Sequence, residues 1–242
     1  MTETEYTTTI NSLNEQLEKG EITQGEFYDL RNDAKDQLCI IQMEEEAAIR
    51  KLANLIKKSE LGQRFRDRTF ETFVTNRENQ PAFDRSVEYA KGFVDEKKGL
   101  IYFGSVGTGK THLVAAIANY IINIHKISVK FGSITSLLNE IKATYSEGSK
   151  ETEYNIIKEL SSVNLLIIDD LGKEKPTDWT SSILYTIINN RYEDYRPTIV
   201  TTNLTINNLE KNIGEAAMSR LIETCDFVKM DGVDHRKSKI MK

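Results

Sequence analysis

GLIYFGSVGTGKTHLVAAIANYII, residues 99–122, decides the fold. Its centre, GSVGTGKT at 104–111, has the spacing G-x-x-x-x-G-K-[ST], with an apolar strand-like run before it and a helical run after it. Gly104, Gly107 and Gly109 let the backbone turn tightly. The N–H groups of the loop, Ser105, Val106 and Thr108 included, then point inward at a phosphate, and the following helix adds its N-terminal polarity. Lys110 is placed to reach the β- and γ-phosphates and the Thr111 hydroxyl to ligate Mg²⁺, while His112 opens the helix beside them. The cofactors expected are ATP and Mg²⁺.

A loop of this kind needs a second strand ending in an acid. NLLIIDD, 164–170, supplies it: the apolar run suits a strand buried on both faces, and ligands of such folds gather at the carboxyl ends of the strands. Asp169 is the expected Mg²⁺ partner, and Asp170 the carboxylate facing the attacking water. PTIVTTN, 197–203, repeats the design and ends in Asn203, whose amide can orient that water or touch the γ-phosphate. Arg220, in GEAAMSRLIE (214–223), is either a solvated surface charge or, in an assembly, an arginine reaching the neighbouring subunit's γ-phosphate.

Around these motifs the elements alternate. Helices are predicted over about 81–96, 110–124, 134–145, 178–194 and 214–223, with a short one before NLLIIDD. Strands are predicted in GLIYFG (99–104), SVKFGS (128–133), NLLIIDD, PTIVTTN and FVKM (227–230). The alternation implies an α/β fold with a parallel, doubly wound sheet.

Upstream, Tyr6, Ile10, Leu13 and Leu17 share a helix face, Gly20 suits a helix end, and Thr23 with Glu26 match a capping box. Phe27, Leu30, Ala34, Leu38, Ile41, Ala48, Leu52 and Leu55 then form a second apolar stripe. Residues 1–58 are therefore expected to be a helical domain built on an α-hairpin, either packed on itself or docked on a partner protein, and 59–242 the nucleotide-binding domain. Of the net charge of −5, the first 60 residues hold 7 Lys/Arg against 13 Asp/Glu and the remainder 25 against 24. That excludes a surface coated in positive charge for duplex DNA and confines any nucleic-acid contact to a local groove. Cys39 and Cys225 lack a CxxC spacing or a neighbouring His, which excludes a cysteine zinc module. Both are expected to be small buried or half-buried side chains in a reducing compartment. No apolar run approaches the roughly 20 residues of a membrane span, so a cytoplasmic protein is expected.

RFRDRTFETF (64–73), GSVGTGKTHLVAAIAN (104–119), LLIIDDLGKEKPTDW (165–179), IINNRY (187–192), PTIVTTNL (197–204) and SRLIETC (219–225) follow in an order and spacing that resembles the AAA+ ATPases. Among these it is similar to the DnaC-type helicase loaders and their IstB relatives, over roughly residues 60–236. The resemblance implies an AAA+ core and an ATP-switched protein that binds the hexameric replicative DNA helicase. It further implies that the protein helps to place that helicase on single-stranded DNA, and that it forms a homo-oligomer with ATP or the helicase. It makes Asn203 the sensor-1 residue and Arg220 the trans-acting finger. Asp170 stands where the AAA+ pattern usually has Glu, so the base is one methylene shorter and slow hydrolysis is expected. The C-terminal helical lid is expected to be reduced or absent, with Arg236 either a sensor-2 arginine or part of a basic tail. The alternatives are a transposition helper of the IstB type and a nucleotide-binding interaction protein with little hydrolysis. A small-molecule kinase would need an Arg-rich lid and an acceptor site, and neither is found.

For single-stranded DNA the candidate contacts are Phe131, Lys142, Tyr145, Lys173 and Lys175, with core packing (Phe131) or solvated surface (the lysines) as the other reading. Arg64, Phe65 and Phe70 precede the first strand, where the adenine pocket lies in related folds.

Overall fold

The computed structural model describes residues 1–174, 176–232 and 234; Lys175 and Arg236 lie outside the described residues. The chain forms two units, Met1–Asn54 and the remainder from Leu55 onward. In the first unit Thr2 and Glu5 close a capping box on helix α1 (Glu3–Glu18): Glu5 N–H donates to Thr2 Oγ1 at 3.2 Å and Thr2 N–H to Glu5 Oε2 at 2.7 Å. Thr23 and Glu26 do the same for α2 (Gln24–Lys58), at 3.3 and 2.8 Å. At about 1.5 Å per residue α1 is less than half as long as α2, so one cannot cover the other along its length. Only Phe27 and Ala34 of α2 are buried. Leu30, read as part of the stripe, is 45% exposed, and Cys39, read as buried or half-buried, is exposed on the same uncovered helix.

The second unit is built on five parallel strands: β1 (Gly99–Phe103), β2 (Val129–Ser133), β3 (Leu165–Asp169), β4 (Thr198–Thr202) and β5 (Cys225–Lys229). Their order across the sheet is β2-β3-β4-β1-β5, so the last-but-one strand is inserted between the first and the third. Side chains alternate between the two faces, as the period of a strand requires. Ile101, Leu166, Ile168 and Val200 join a core with α6 (Ile134–Ala143), α7 (Glu153–Ser162), α8 (Asp178–Glu193), α9 (Ile206–Ile213) and α10 (Glu215–Thr224). On the opposite face Tyr102 meets Ser86 of α4 (Gln80–Gly92), hydroxyl to hydroxyl at 2.6 Å, beside α5 (Lys110–Tyr120). A short helix α3 (Gln63–Arg66) precedes α4 and packs on α5. The expected helix over 81–96 is α4 followed by a 3₁₀ turn at Phe93–Asp95, and the helix over 110–124 ends in a π turn at Ile121–His125. Helix α9 was not expected. Among the described residues no helix is long and apolar enough to cross a membrane.

Two buried cations hold the sheet's flanks. Lys130, on edge strand β2, has a side chain only 3% exposed and meets Glu60 at 2.6 Å, Glu140 at 3.3 Å and Glu159 at 3.7 Å. Next to it Phe131 N–H donates to Ser59 O at 2.8 Å, pairing the open edge. Arg191, at the end of α8 and 1% exposed, donates to the carbonyls of Leu160, Val163 and Pro197 at 2.9, 2.8 and 2.6 Å and to Thr198 Oγ1 at 2.9 Å. Burial pushes its guanidinium down to about 9, still charged at neutral pH. Arg191→Met keeps the apolar volume and orphans those carbonyls, each of which costs about 1–3 kcal/mol when left buried and unpaired. We expect a loss of about 3–4 kcal/mol, read as a melting temperature roughly 10 °C lower by circular dichroism. A shift of only a degree or two would mean that water replaces the guanidinium without cost.

Candidate functional site

Because all five strands are parallel, the loop after β1, Asp169 at the end of β3 and Asn203 just beyond β4 emerge on one edge. They meet in a cleft of about 580 Å³ lined by Arg64, Phe65, Arg68, Val106, Gly107, Gly109, Lys110, Thr111, His112, Asp169, Asp170, Lys173 and Asn203. A volume of this size suits a nucleotide-sized ligand.

Gly109 caps α5 at φ 101°, and a Cβ there would lie 2.8 Å from the Phe73 ring, so the turn admits no other side chain. Gly104, Ser105 and Thr108 form the back of the loop. Thr108 Oγ1 donates to Ser105 O at 3.0 Å, and Lys110 Nζ donates to the carbonyls of Gly104 at 2.9 Å and Ser105 at 2.6 Å. The lysine is thereby folded over the loop whose N–H groups begin the helix, which concentrates positive potential where a phosphate chain would lie.

Asp169 is 6% exposed and ends its strand with no ion pair among the described residues. Two hydroxyls hold it instead: Thr111 Oγ1 donates to Asp169 Oδ1 at 2.9 Å and Thr201 Oγ1 to the same oxygen at 2.6 Å. Burial raises the Asp169 pKa and the neighbouring Asp170 charge adds to it, while the two hydroxyl bonds oppose them. Thr201 was not singled out in the sequence. It also accepts from Asp170 N–H at 2.9 Å and its carbonyl accepts from Leu171 N–H at 2.8 Å, so one residue of the inserted strand fixes both acids. Asp170 adopts φ 58°, left-handed for a non-glycine residue and the kind of strain found at functional sites. Asn203 Nδ2 donates to Asp170 Oδ1 at 3.4 Å and Lys173 Nζ pairs with Asp170 Oδ2 at 2.5 Å.

Thr111 Oγ1 and Asp169 Oδ1, hard oxygens side by side on the cleft floor, fit a Mg²⁺ ion whose other ligands would be phosphate oxygens and water. Among the described residues no cluster of three His, Cys, Asp or Glu forms an all-protein metal site.

At the other end of the cleft, Asn119 of α5 donates to Phe65 O at 2.9 Å and Arg68 O at 2.8 Å, pinning the 64–73 segment to the P-loop helix. Arg64 and Phe65 face the cleft; Phe70 instead packs edge-on to Phe83 and Tyr120. His112 Nε2 lies 3.0 Å from Thr69 O, and burial lowers the pKa of its ring. Arg220 is outside the cleft: its guanidinium carbon is 4.3 Å from the Tyr192 ring centre and its Nε donates to Asn189 Oδ1 at 3.3 Å. Of the proposed DNA contacts, Phe131 is buried against Phe65 and cannot stack a base. Tyr145 is 58% exposed and accepts from Trp179 Nε1 at 3.1 Å, with Lys142 Nζ 5.0 Å from the Trp179 ring.

This sheet order, loop and strand-end acid define a P-loop nucleotide-binding protein of the AAA+ class. The chain belongs to the family of IstB-like ATP binding proteins, whose family model matches residues 10–242. It is 29% identical over 172 residues to the replicative helicase loader DnaC of Buchnera aphidicola subsp. Acyrthosiphon pisum, covering 71% of this chain and 70% of that one. It is 30% identical over 190 residues to the phage-like element PBSX protein XkdC of Bacillus subtilis, covering 74% and 69%. Among solved structures, a crystal structure of the DnaC helicase loader superposes with a TM-score of 0.62 at 27% identity, over 70% of this chain and 99% of that one. The replication initiator DnaA bound to AMPPCP and single-stranded DNA shares the fold, with a TM-score of 0.62 at 21% identity over 75% and 56%.

Proposed function

We propose that the protein is an ATP-driven loader that binds a replicative DNA helicase through its N-terminal helices and helps to place it on single-stranded DNA. The observation that carries the reading is the linked set Thr111–Asp169–Thr201–Asp170–Asn203 across the ends of adjacent strands, in a chain similar to DnaC loaders. Such a set can sense whether a γ-phosphate is present, because the residue on the metal side and the residue on the water side share one threonine.

In hydrolysis, Lys110 and the loop N–H groups hold the phosphate chain, and Thr111 with Asp169 would hold Mg²⁺. Bound Mg²⁺ would neutralise charge developing on the β- and γ-phosphate oxygens. Asp170 takes a proton from the attacking water as its oxygen bonds to the γ-phosphorus and the bond to the β-phosphate oxygen breaks, releasing ADP. Asn203 orients that water, and Arg220 of a neighbouring subunit meets the departing charge. Asp170 reaches one methylene less far than a glutamate would, which supports a slow ATPase acting as a switch. The exposed Tyr145 and Lys142, beside the half-buried Trp179, are suited to stacking a base and pairing a phosphate of single-stranded DNA.

Removing residues 1–54 tests the docking role. The truncated chain is expected to keep nucleotide binding and to lose co-purification with the hexameric helicase, followed by native mass measurement with and without ATP. Helicase retained by the truncated chain refutes docking through the N-terminal helices, and a duplex DNA complex with a transposase in its place would favour the transposition-helper reading.

A further inference from the structure

Lys173 lies three residues beyond Asp170, and its position is built rather than incidental. The turn leaves β3 with Asp170 at φ 58°, buries Leu171 at 1% exposure, and passes Gly172 at φ 95°. Leu171 is fixed on both sides: its N–H donates to Thr201 O at 2.8 Å and its carbonyl accepts from Thr202 Oγ1 at 2.7 Å. A Cβ at Gly172 would lie 2.4 Å from Leu204 Cδ1, so the turn is packed against the next strand's exit. Two left-handed residues around an anchored leucine bring the chain back on itself, and Lys173 Nζ reaches Asp170 Oδ2. Asn203 Nδ2 takes the other oxygen. Both oxygens of the carboxylate that should accept the water's proton are therefore engaged by donors. The two donors differ: Asn203 is neutral and sits on the strand edge, whereas the Lys173 side chain is 61% exposed and charged. A polyanion at the mouth of the cleft would compete with one carboxylate for that lysine and win on charge.

We infer that Lys173 is a positioning residue that holds Asp170 out of use until the phosphodiester backbone of a nucleic acid draws the ammonium away, so that strand binding releases hydrolysis. The inference rests on Asp170 being the base, as proposed above. It gives the slow ATPase a second cause besides the short reach of aspartate, and this cause is reversible.

The test is steady-state phosphate release by the full chain, with and without an oligo-dT strand, for wild type and for Lys173→Ala, Lys173→Gln, Lys173→Arg and Asp170→Asn. Releasing an ion pair of this exposure corresponds to at most about fivefold in rate. Lys173→Ala and Lys173→Gln are expected to raise kcat without DNA by about threefold to fivefold, leave KM for ATP unchanged, and abolish further stimulation by oligo-dT. Lys173→Arg is expected to restore the low basal rate and the stimulation. A basal kcat at or below wild type in both neutral variants overturns the inference; that result also follows if the γ-phosphate of ATP, and not DNA, is what draws Lys173 away. If Asp170→Asn still turns over at the wild-type rate, the base assignment itself fails. If it is inactive while the Lys173 variants match wild type, only the present inference fails.

Discussion

Lys110→Ala is expected to abolish nucleotide binding at micromolar concentrations and to lower ATP turnover about 10²–10³-fold. The side chain is 5% exposed and its ammonium already lies within 2.9 Å of the loop's own carbonyls, so little conformational freedom remains to be lost when a phosphate arrives. Its removal takes a full positive charge from the loop that would hold the phosphates, in a cleft that also holds the carboxylates of Asp169 and Asp170. Alanine at the first residue of α5 is a favourable helix former, so the helix itself should persist. The truncation removes the lysine donor from Gly104 O and Ser105 O, of which Ser105 O keeps Thr108 Oγ1, and a thermal melt alongside a fluorescent-ATP titration separates that modest cost from loss of binding. Retained low-micromolar affinity in a folded variant removes the P-loop assignment.

The elements legible in the sequence were those whose pattern is local. The glycine loop between an apolar strand and a helix, and the apolar runs ending in Asp169 and Asn203, need nothing from elsewhere in the chain to be recognised. Helix α9 escaped through its length: Ile206, Leu209 and Ile213 do stand at helical spacing, but eight residues are shorter than the window over which a period is read. The stripe along α2 was legible as helix, but its burial was not: periodicity says which face is apolar and nothing about whether another element is long enough to cover it.

Within the site, residues were legible by type and illegible by partnership. Thr201 reads as one more polar residue at a strand tip until β4 is seen to lie between β1 and β3, which sets its hydroxyl 2.6 Å from a carboxylate 32 residues earlier. Strand order depends on how helices pack over both faces, and no motif in this chain states it. Lys130 is the same case in the core: a lysine inside an apolar strand becomes acceptable only because Glu60 and Glu140, 70 and 10 residues away, converge on it. Lys173 differs, since its partner is three residues off, but the pairing depends on a left-handed Asp170 that composition does not announce.

Arg220→Ala is expected to leave ATP binding by the single chain unchanged and to reduce turnover of the assembled protein about 10³-fold. Arg220 does not line the cleft of its own chain; it stands on α10, stacked on Tyr192 and tethered to Asn189 of α8. Stacking at 4.3 Å restricts the guanidinium before any partner arrives, which lowers the entropy lost when a neighbour's phosphate is engaged. An arginine so placed does not line its own cleft, and mixing distinguishes action on a second subunit from a local structural role. The Arg220→Ala chain has an intact cleft and no finger, while the Lys110→Ala chain has an intact finger and a disabled cleft. Each alone should be inactive. Together they should recover turnover, because assemblies of the two contain interfaces that join a working cleft to a working arginine. If the mixture stays inactive although both chains assemble, Arg220 serves its own α8–α10 contact and not the γ-phosphate of a neighbour.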